Sequence, residues 1–204
     1  APLSKEEFRQ QNKLTNQPVI ALLPGSRRQE IESCLPKMIE AARHFPDYQL
    51  VISGVSSIPD SFYRQVMKGV NYPVLVAKTY QLVHAADVAV VNSGTATLET
   101  ALLGTPQVVV YSSLQGRLSY LIKELLLKVK YIAMVNIISD KLVAKELYAH
   151  FFTVENLRNE LNRLLNDASY RECQFENYRK LQTIMGDTGA AAKAAWSILT
   201  YFRK

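Results

Sequence analysis

Two short stretches of this chain carry residues that could hold a charged ligand. The first is Asn92-Ser93-Gly94-Thr95-Ala96-Thr97-Leu98-Glu99. It follows the apolar run Asp87-Val88-Ala89-Val90-Val91 and opens a helical pattern from Thr97 to Leu103. A strand that runs into a small, hydroxyl-rich loop and then a helix offers the unpaired N–H groups and positive dipole end of that helix to an anion. Gly94 lets a phosphate approach the backbone closely. Ser93 and Thr95 add hydroxyl donors, and Thr97 is a further binding candidate beside them. Glu99, one turn into the helix, could accept hydrogen bonds from sugar hydroxyls. Together these groups suit a ribose-bearing diphosphate. The same residues also read as a plain capped helix, with Ser93 or Thr95 as N-cap and Glu99 as capping-box partner. The residues alone leave both readings open.

The second stretch is Leu23-Pro24-Gly25-Ser26-Arg27-Arg28-Gln29-Glu30-Ile31. Gly25 allows close approach, Ser26 can cap, and Arg27 offers a bidentate fork to phosphate or carboxylate. An ordinary strand-to-helix turn with two solvated arginines fits it equally. Neither Gly-x-Gly-x-x-Gly nor Gly-x-x-x-x-Gly-Lys-Ser/Thr occurs, which argues against a dinucleotide enzyme and a phosphate-loop ATPase.

The elements that must position these loops alternate in type. Strands are predicted at Val19 to Leu23, Gln49 to Ser53, Val74 to Ala77, from Val88, and at Pro106 to Tyr111. Helices are predicted at Ile31 to Ala42, Ser61 to Lys68 and Tyr80 to Ala86. Such alternation implies right-handed crossovers and an α/β fold, a Rossmann-like parallel sheet with helices on both faces. Unbroken apolar strands such as Val108-Val109-Val110 fit burial on both sides. Residues 4 to 13 are polar and read as a fraying lead-in. From about Val143 the chain reads as helical: Lys145 to His150, Val154 to Asn166, Ser169 to Met185 and Ala190 to Tyr201. Residues 1–17 are thus a lead-in, 18–150 the Rossmann-like domain, and 151–204 helices packing on it. In such sheets ligands bind beyond the carboxyl ends of the strands, where both loops emerge.

Composition narrows the classes. The 204 residues are 48% hydrophobic and 21% charged, enough apolar surface for a folded core. No run approaches the roughly 18 apolar residues of a membrane span, and the start at Ala1 has no signal pattern. The absence of an initiator Met suggests a piece of a longer protein. Cys34 and Cys173 make neither metal spacing nor a disulfide framework, so a reducing compartment is expected. The net charge of +6 favours acidic ligands, anionic membrane surfaces or nucleic acid. Without zinc-finger, basic-heptad or RNA-binding aromatic patterns, nucleic acid is not expected. Arg117, Lys123, Lys128 and Lys130, interleaved with apolar residues through Tyr131, read either as a membrane-touching surface or as a helix with one face in the core. His44, His84 and His150 lack paired metal spacing and read as structural. Trp196 reads as an anchor for the last helix.

Leu22-Leu23-Pro24-Gly25-Ser26-Arg27, the stretch from Asn92 to Leu102, and Pro106-Gln107-Val108-Val109-Val110-Tyr111 resemble the lipid-A-disaccharide synthase family. Val135-Asn136-Ile137-Ile138 and Lys145-Glu146-Leu147 resemble it too, in the same order and spacing. The resemblance covers roughly residues 18 to 200. It implies the carboxyl-terminal half of a two-domain GT-B glycosyltransferase, the half with most of the nucleotide-sugar donor site. The implied reaction joins UDP-2,3-diacylglucosamine to 2,3-diacylglucosamine 1-phosphate, giving a β(1→6)-linked disaccharide phosphate and UDP. It is an inverting transfer needing no metal or other cofactor, and its general base lies in the amino-terminal half, the expected partner. A cytoplasmic location is implied, at the inner face of the cytoplasmic membrane if the basic segment touches lipid.

By the same resemblance, Arg27 faces the donor diphosphate, with Gly25 and Ser26 as substrate-binding positions beside it. Ser93, Gly94 and Thr95 hold phosphate oxygens, Thr97 is a substrate-binding position beside them, and Glu99 meets the nucleoside side of UDP. Tyr111, Asn136 and Glu146 are further substrate-binding positions. Asn136 also reads as satisfying a strand end, and Glu146 as a helix cap. The family has Gln where this chain has Tyr148, which puts any donor contact of that Gln in doubt. Two other readings stand beside this one. One is half of another UDP-sugar transferase, such as that adding N-acetylglucosamine to the peptidoglycan lipid precursor. The other is a non-catalytic nucleotide-sugar binding module.

Overall fold

The computed structural model describes residues 3–112, 130–186, 189, 195, 196 and 198–201. Most of the basic, apolar segment expected from Arg117 to Tyr131 lies outside them. Six parallel strands form one sheet: β1 (Val19–Leu23), β2 (Gln49–Gly54), β3 (Val74–Val76), β4 (Val88–Asn92), β5 (Gln107–Tyr111) and β6 (Glu146–Tyr148). Their order is β3-β2-β1-β4-β5-β6, so β1 is flanked by β2 and β4. The helices are α1 (Lys5–Gln11), α2 (Arg28–Ala42), α3 (Asp60–Met67), α4 (Thr79–Ala85), α5 (Thr95–Leu102), α6 (Met134–Ser139), α7 (Val154–Asn166) and α8 (Ala168–Met185).

The central strands are apolar without alternation because both faces are covered. Successive side chains still divide between the faces. Ile20, Leu22, Val88 and Val90 pack with α2, α3 and α7 through Leu35, Phe62 and Leu161. Val19, Ala21, Ala89 and Val91 pack on the other side against Phe8, Leu82 and Val83. Beside them Val109 meets Ala101, Val135 and Leu181.

Three expectations are corrected. Residues 4 to 13 do not fray: Ser4 and Glu7 form a reciprocal capping box, and Phe8 is buried against the sheet helices. Burial of one phenylalanine together with the box outweighs the polarity of the rest of α1. The helix expected at Lys145 to His150 is instead the edge strand β6, followed by a short 3₁₀ turn at Ala149–Phe151. Pairing with the open edge of β5 overrides the helical propensity of Lys, Glu and Leu. Trp196 is 70% exposed and anchors nothing in the core.

Candidate functional site

Loops at the carboxyl ends of β1 to β4 wall one cleft of about 550 Å³. It opens where strand order reverses between β1 and β4, the place where open α/β sheets bind ligands. Gly25, Ser26 and Arg27 form one wall, and Ser93, Gly94, Thr95 and Glu99 another. Residues distant in sequence thus share a single site.

On the β4 side, Gly94 is the N-cap of α5, and no side chain caps the helix. The capped-helix reading therefore fails. Thr97 occupies the N3 place that a capping box needs, and Glu99 lies beyond it. A Cβ on Gly94 would meet no atom within 4 Å, so the backbone there is open. The Thr97 N–H donates to the Gly94 carbonyl at 3.2 Å, and the Thr95 and Ala96 N–H groups ahead of it precede the first bonds of the helical ladder. Thr97 does not line the cleft: it is fully buried and its hydroxyl donates to the Gly94 carbonyl at 2.8 Å. Its part is to shape the loop. Glu99 lies beside Tyr80, and the repulsion of its carboxylate, with lesser help from burial and hydrogen bonding, raises the phenol above its ordinary pKa.

On the β1 side, Gly25 is required twice over. Its φ is +111°, and a Cβ there would fall 2.3 Å from Glu30 Oε2 and 2.7 Å from Asn92 Nδ2. Ser26 does not cap α2; the N-cap is Arg27. Glu30 folds back instead, accepting from the Ser26 and Arg27 N–H groups at 3.0 and 3.2 Å. Its other oxygen pairs with Arg27 Nη1 at 2.9 Å.

Further polar lining comes from Asn92 at the end of β4 and from Ser53 and Thr79, whose hydroxyls lie 2.7 Å apart. None of these, nor Glu30 or Tyr80, is marked as a ligand residue by sequence spacing. Only its place at N3, where a capping pattern has Glu or Gln, hints at Glu30. Chemically, the cleft offers an uncapped helix start and a guanidinium for a diphosphate, and a carboxylate for hydroxyl groups.

Three expected ligand residues lie elsewhere. Tyr111 ends β5 and is not part of the cleft lining. Asn136 is fully buried in α6. Its Nδ2 donates to Ala144 O and Glu146 Oε1, both at 2.8 Å. Its Oδ1 accepts from the Val143 and Ala144 N–H groups at 2.8 and 2.9 Å. Glu146 also accepts from Ile132 and Ala133 N–H groups, tying β6 to the start of α6. Every polar atom of the Asn136 amide is engaged, so Asn136 is structural here, and Glu146, half-buried, holds the Asn136 amide and the start of α6. Glu146 and Tyr148 line a separate cleft beside α7. Asn136→Ala would strand two buried N–H groups and a carbonyl. At roughly 1–3 kcal/mol for each buried unsatisfied group, we expect about 3–5 kcal/mol of destabilisation in urea unfolding. A loss below about 1 kcal/mol would contradict this role.

His44 and His150 make local contacts, to Glu40 O at 2.9 Å and to the Phe151 ring at 4.0 Å between centroids. Both cysteines are free, Cys34 buried and Cys173 exposed. Among the described residues, no three His, Cys, Asp or Glu side chains gather as a metal site. No described helix is long and apolar enough to cross a membrane.

Solved structures with this fold are GT-B glycosyltransferases. The calicheamicin glycosyltransferase matches with a TM-score of 0.57 and 16% identity, over 93% of this chain and 43% of that one. The ADP-heptose lps heptosyltransferase II of E. coli matches with a TM-score of 0.55 and 17% identity, over 79% and 50%. At such identities the likeness is one of fold. Sequence relatives are nearer. The lipid-A-disaccharide synthase of Syntrophus aciditrophicus is 38% identical over 91% of this chain and 50% of its own length. That of Myxococcus xanthus is 35% identical over 89% and 49%. The chain therefore spans about half the length of the curated relatives it matches. The family model for lipid-A-disaccharide synthetase matches residues 2–196, and the chain belongs to that family.

Proposed function

We propose that the β1/β4 cleft binds the UDP portion of UDP-2,3-diacylglucosamine, and that the chain is the donor-binding half of a lipid-A-disaccharide synthase. The observation that carries this reading is the meeting, in one cleft, of Arg27, the uncapped start of α5 and Glu99. The diphosphate lies against the Gly94–Thr95 backbone within reach of the Arg27 fork, and the ribose hydroxyls donate to Glu99. As the glycosidic bond breaks, negative charge grows on the departing diphosphate. Arg27 and the α5 dipole are placed to stabilise it, with no metal or cofactor called on. The acceptor, 2,3-diacylglucosamine 1-phosphate, and the base that takes the proton of its hydroxyl belong with an amino-terminal half. The site of action is the cytoplasm, at the inner face of the cytoplasmic membrane where acylated sugars reside.

Titration of the purified chain with UDP, GDP and ADP tests the reading. UDP should bind most tightly, and equal affinities would overturn it. Glu99→Gln should weaken UDP about tenfold, the scale of a hydrogen bond to a charged acceptor. The same change should barely affect the 2′,3′-dideoxy analogue. An unchanged ratio between the two nucleotides would remove Glu99 from the ribose.

A further inference from the structure

Arg27 is the cation of the cleft wall, yet its charge is already engaged. Its guanidinium pairs with Glu30 at 2.9 Å while its side chain remains 81% exposed. The second Glu30 oxygen takes the N–H groups of Ser26 and Arg27. One carboxylate thus engages Nη1 of the side chain and the two backbone donors that a phosphate at this loop would use. The Glu30 side chain itself packs into the space a Gly25 Cβ would need. We propose that Glu30 is an internal stand-in for phosphate, which holds Arg27 until a phosphate-bearing ligand arrives and then hands it over. This rests on reading the cleft as a diphosphate site. It adds that Glu30, not Arg27 alone, sets affinity there.

Two features of the pair suit an exchange. Arg27 is largely in solvent, so it can swing without disturbing the core. An exposed pair of this kind is weak, and a ligand with more than one negative charge outcompetes a single carboxylate. The backbone half of the contact serves a different purpose, closing the start of α2 as an N3 glutamate does.

Glu30→Gln separates the two roles. Glutamine still accepts from the Ser26 and Arg27 N–H groups, so α2 stays capped, but it no longer neutralises Arg27. Inorganic pyrophosphate is the probe, because it asks about the phosphate site whether or not the nucleoside is uridine. We expect E30Q to bind pyrophosphate about fivefold more tightly than the unsubstituted chain at low salt. The gain should shrink as salt screens the pair, and fall below about twofold in an Arg27→Ala background. Unchanged or weaker binding by E30Q, or a gain undiminished without Arg27, would overturn the proposal.

A second measurement needs no substitution. In carbon-13-labelled protein, the Glu30 carboxyl resonance should move as pyrophosphate saturates the site. A resonance that stays fixed through saturation would show that no handover occurs. If pyrophosphate behaves as expected but UDP shows no preference over GDP and ADP, the donor assignment fails and the Glu30 proposal stands.

Discussion

Incubated with UDP-2,3-diacylglucosamine and 2,3-diacylglucosamine 1-phosphate, the 204-residue chain should bind the nucleotide sugar and release no disaccharide. Transfer needs the acceptor hydroxyl held in line with the sugar carbon, and a base within hydrogen-bonding reach of its proton. Positioning of reactants supplies about 7–11 kcal/mol in well-aligned systems, and general base catalysis another 10²- to 10⁴-fold, roughly. The cleft between β1 and β4 presents donors suited to a diphosphate and an acceptor suited to hydroxyls, the groups of the proposed leaving nucleotide. A single face of that kind cannot align a second substrate. The rate should therefore fall by at least about 10⁴-fold relative to a protein carrying both halves. Supplying an amino-terminal half, in trans or by fusion, should restore product. Robust turnover by these residues alone would show that the chain is not a donor-binding half.

Arg27→Ala should weaken UDP by about tenfold or more, and UMP by less. A charge-assisted contact to phosphate contributes about 1.5–3 kcal/mol, and in the proposed binding mode the Arg27 fork meets the second phosphate. The side chain projects into solvent from the N-cap of α2, so its removal should leave the fold intact. Calorimetric titration of both nucleotides on both proteins gives the comparison. Equal losses for UDP and UMP would place Arg27 away from the distal phosphate. Restoration of affinity by adding Glu30→Gln to Arg27→Ala would contradict both this role and the handover from Glu30.

Much of the frame was legible in the chain itself. Val19–Leu23, Val88–Asn92 and Gln107–Tyr111 are strands because runs of β-branched and aliphatic residues suit burial on two faces. Val154–Asn166 follows the helical period of its buried leucines, Leu157, Leu161, Leu164 and Leu165. Both cleft-lining loops were identifiable because glycine, hydroxyl and arginine side chains at strand-to-helix turns have local uses that local sequence reveals.

What the sequence determined by itself was therefore the alternation of strand and helix, the double burial of the sheet, and the composition of the two loops. The tertiary structure decided the rest, because the deciding partners lie far apart in the chain. Only the β3-β2-β1-β4-β5-β6 order sets Arg27 and Glu99 on one cleft. The free edge of β5 turned a helix-forming Lys-Glu-Leu into β6. Closure of α6 against β6 drew buried Asn136 and half-buried Glu146 into one hydrogen-bond network, outside the β1/β4 cleft. The close packing of Gly25 against Glu30 and Asn92 made Glu30 a member of the site. Local preference is worth tenths of a kcal/mol per residue, whereas a buried amide or carboxylate left unpaired costs about 1–3 kcal/mol or more. Where the two compete, the distant partner prevails.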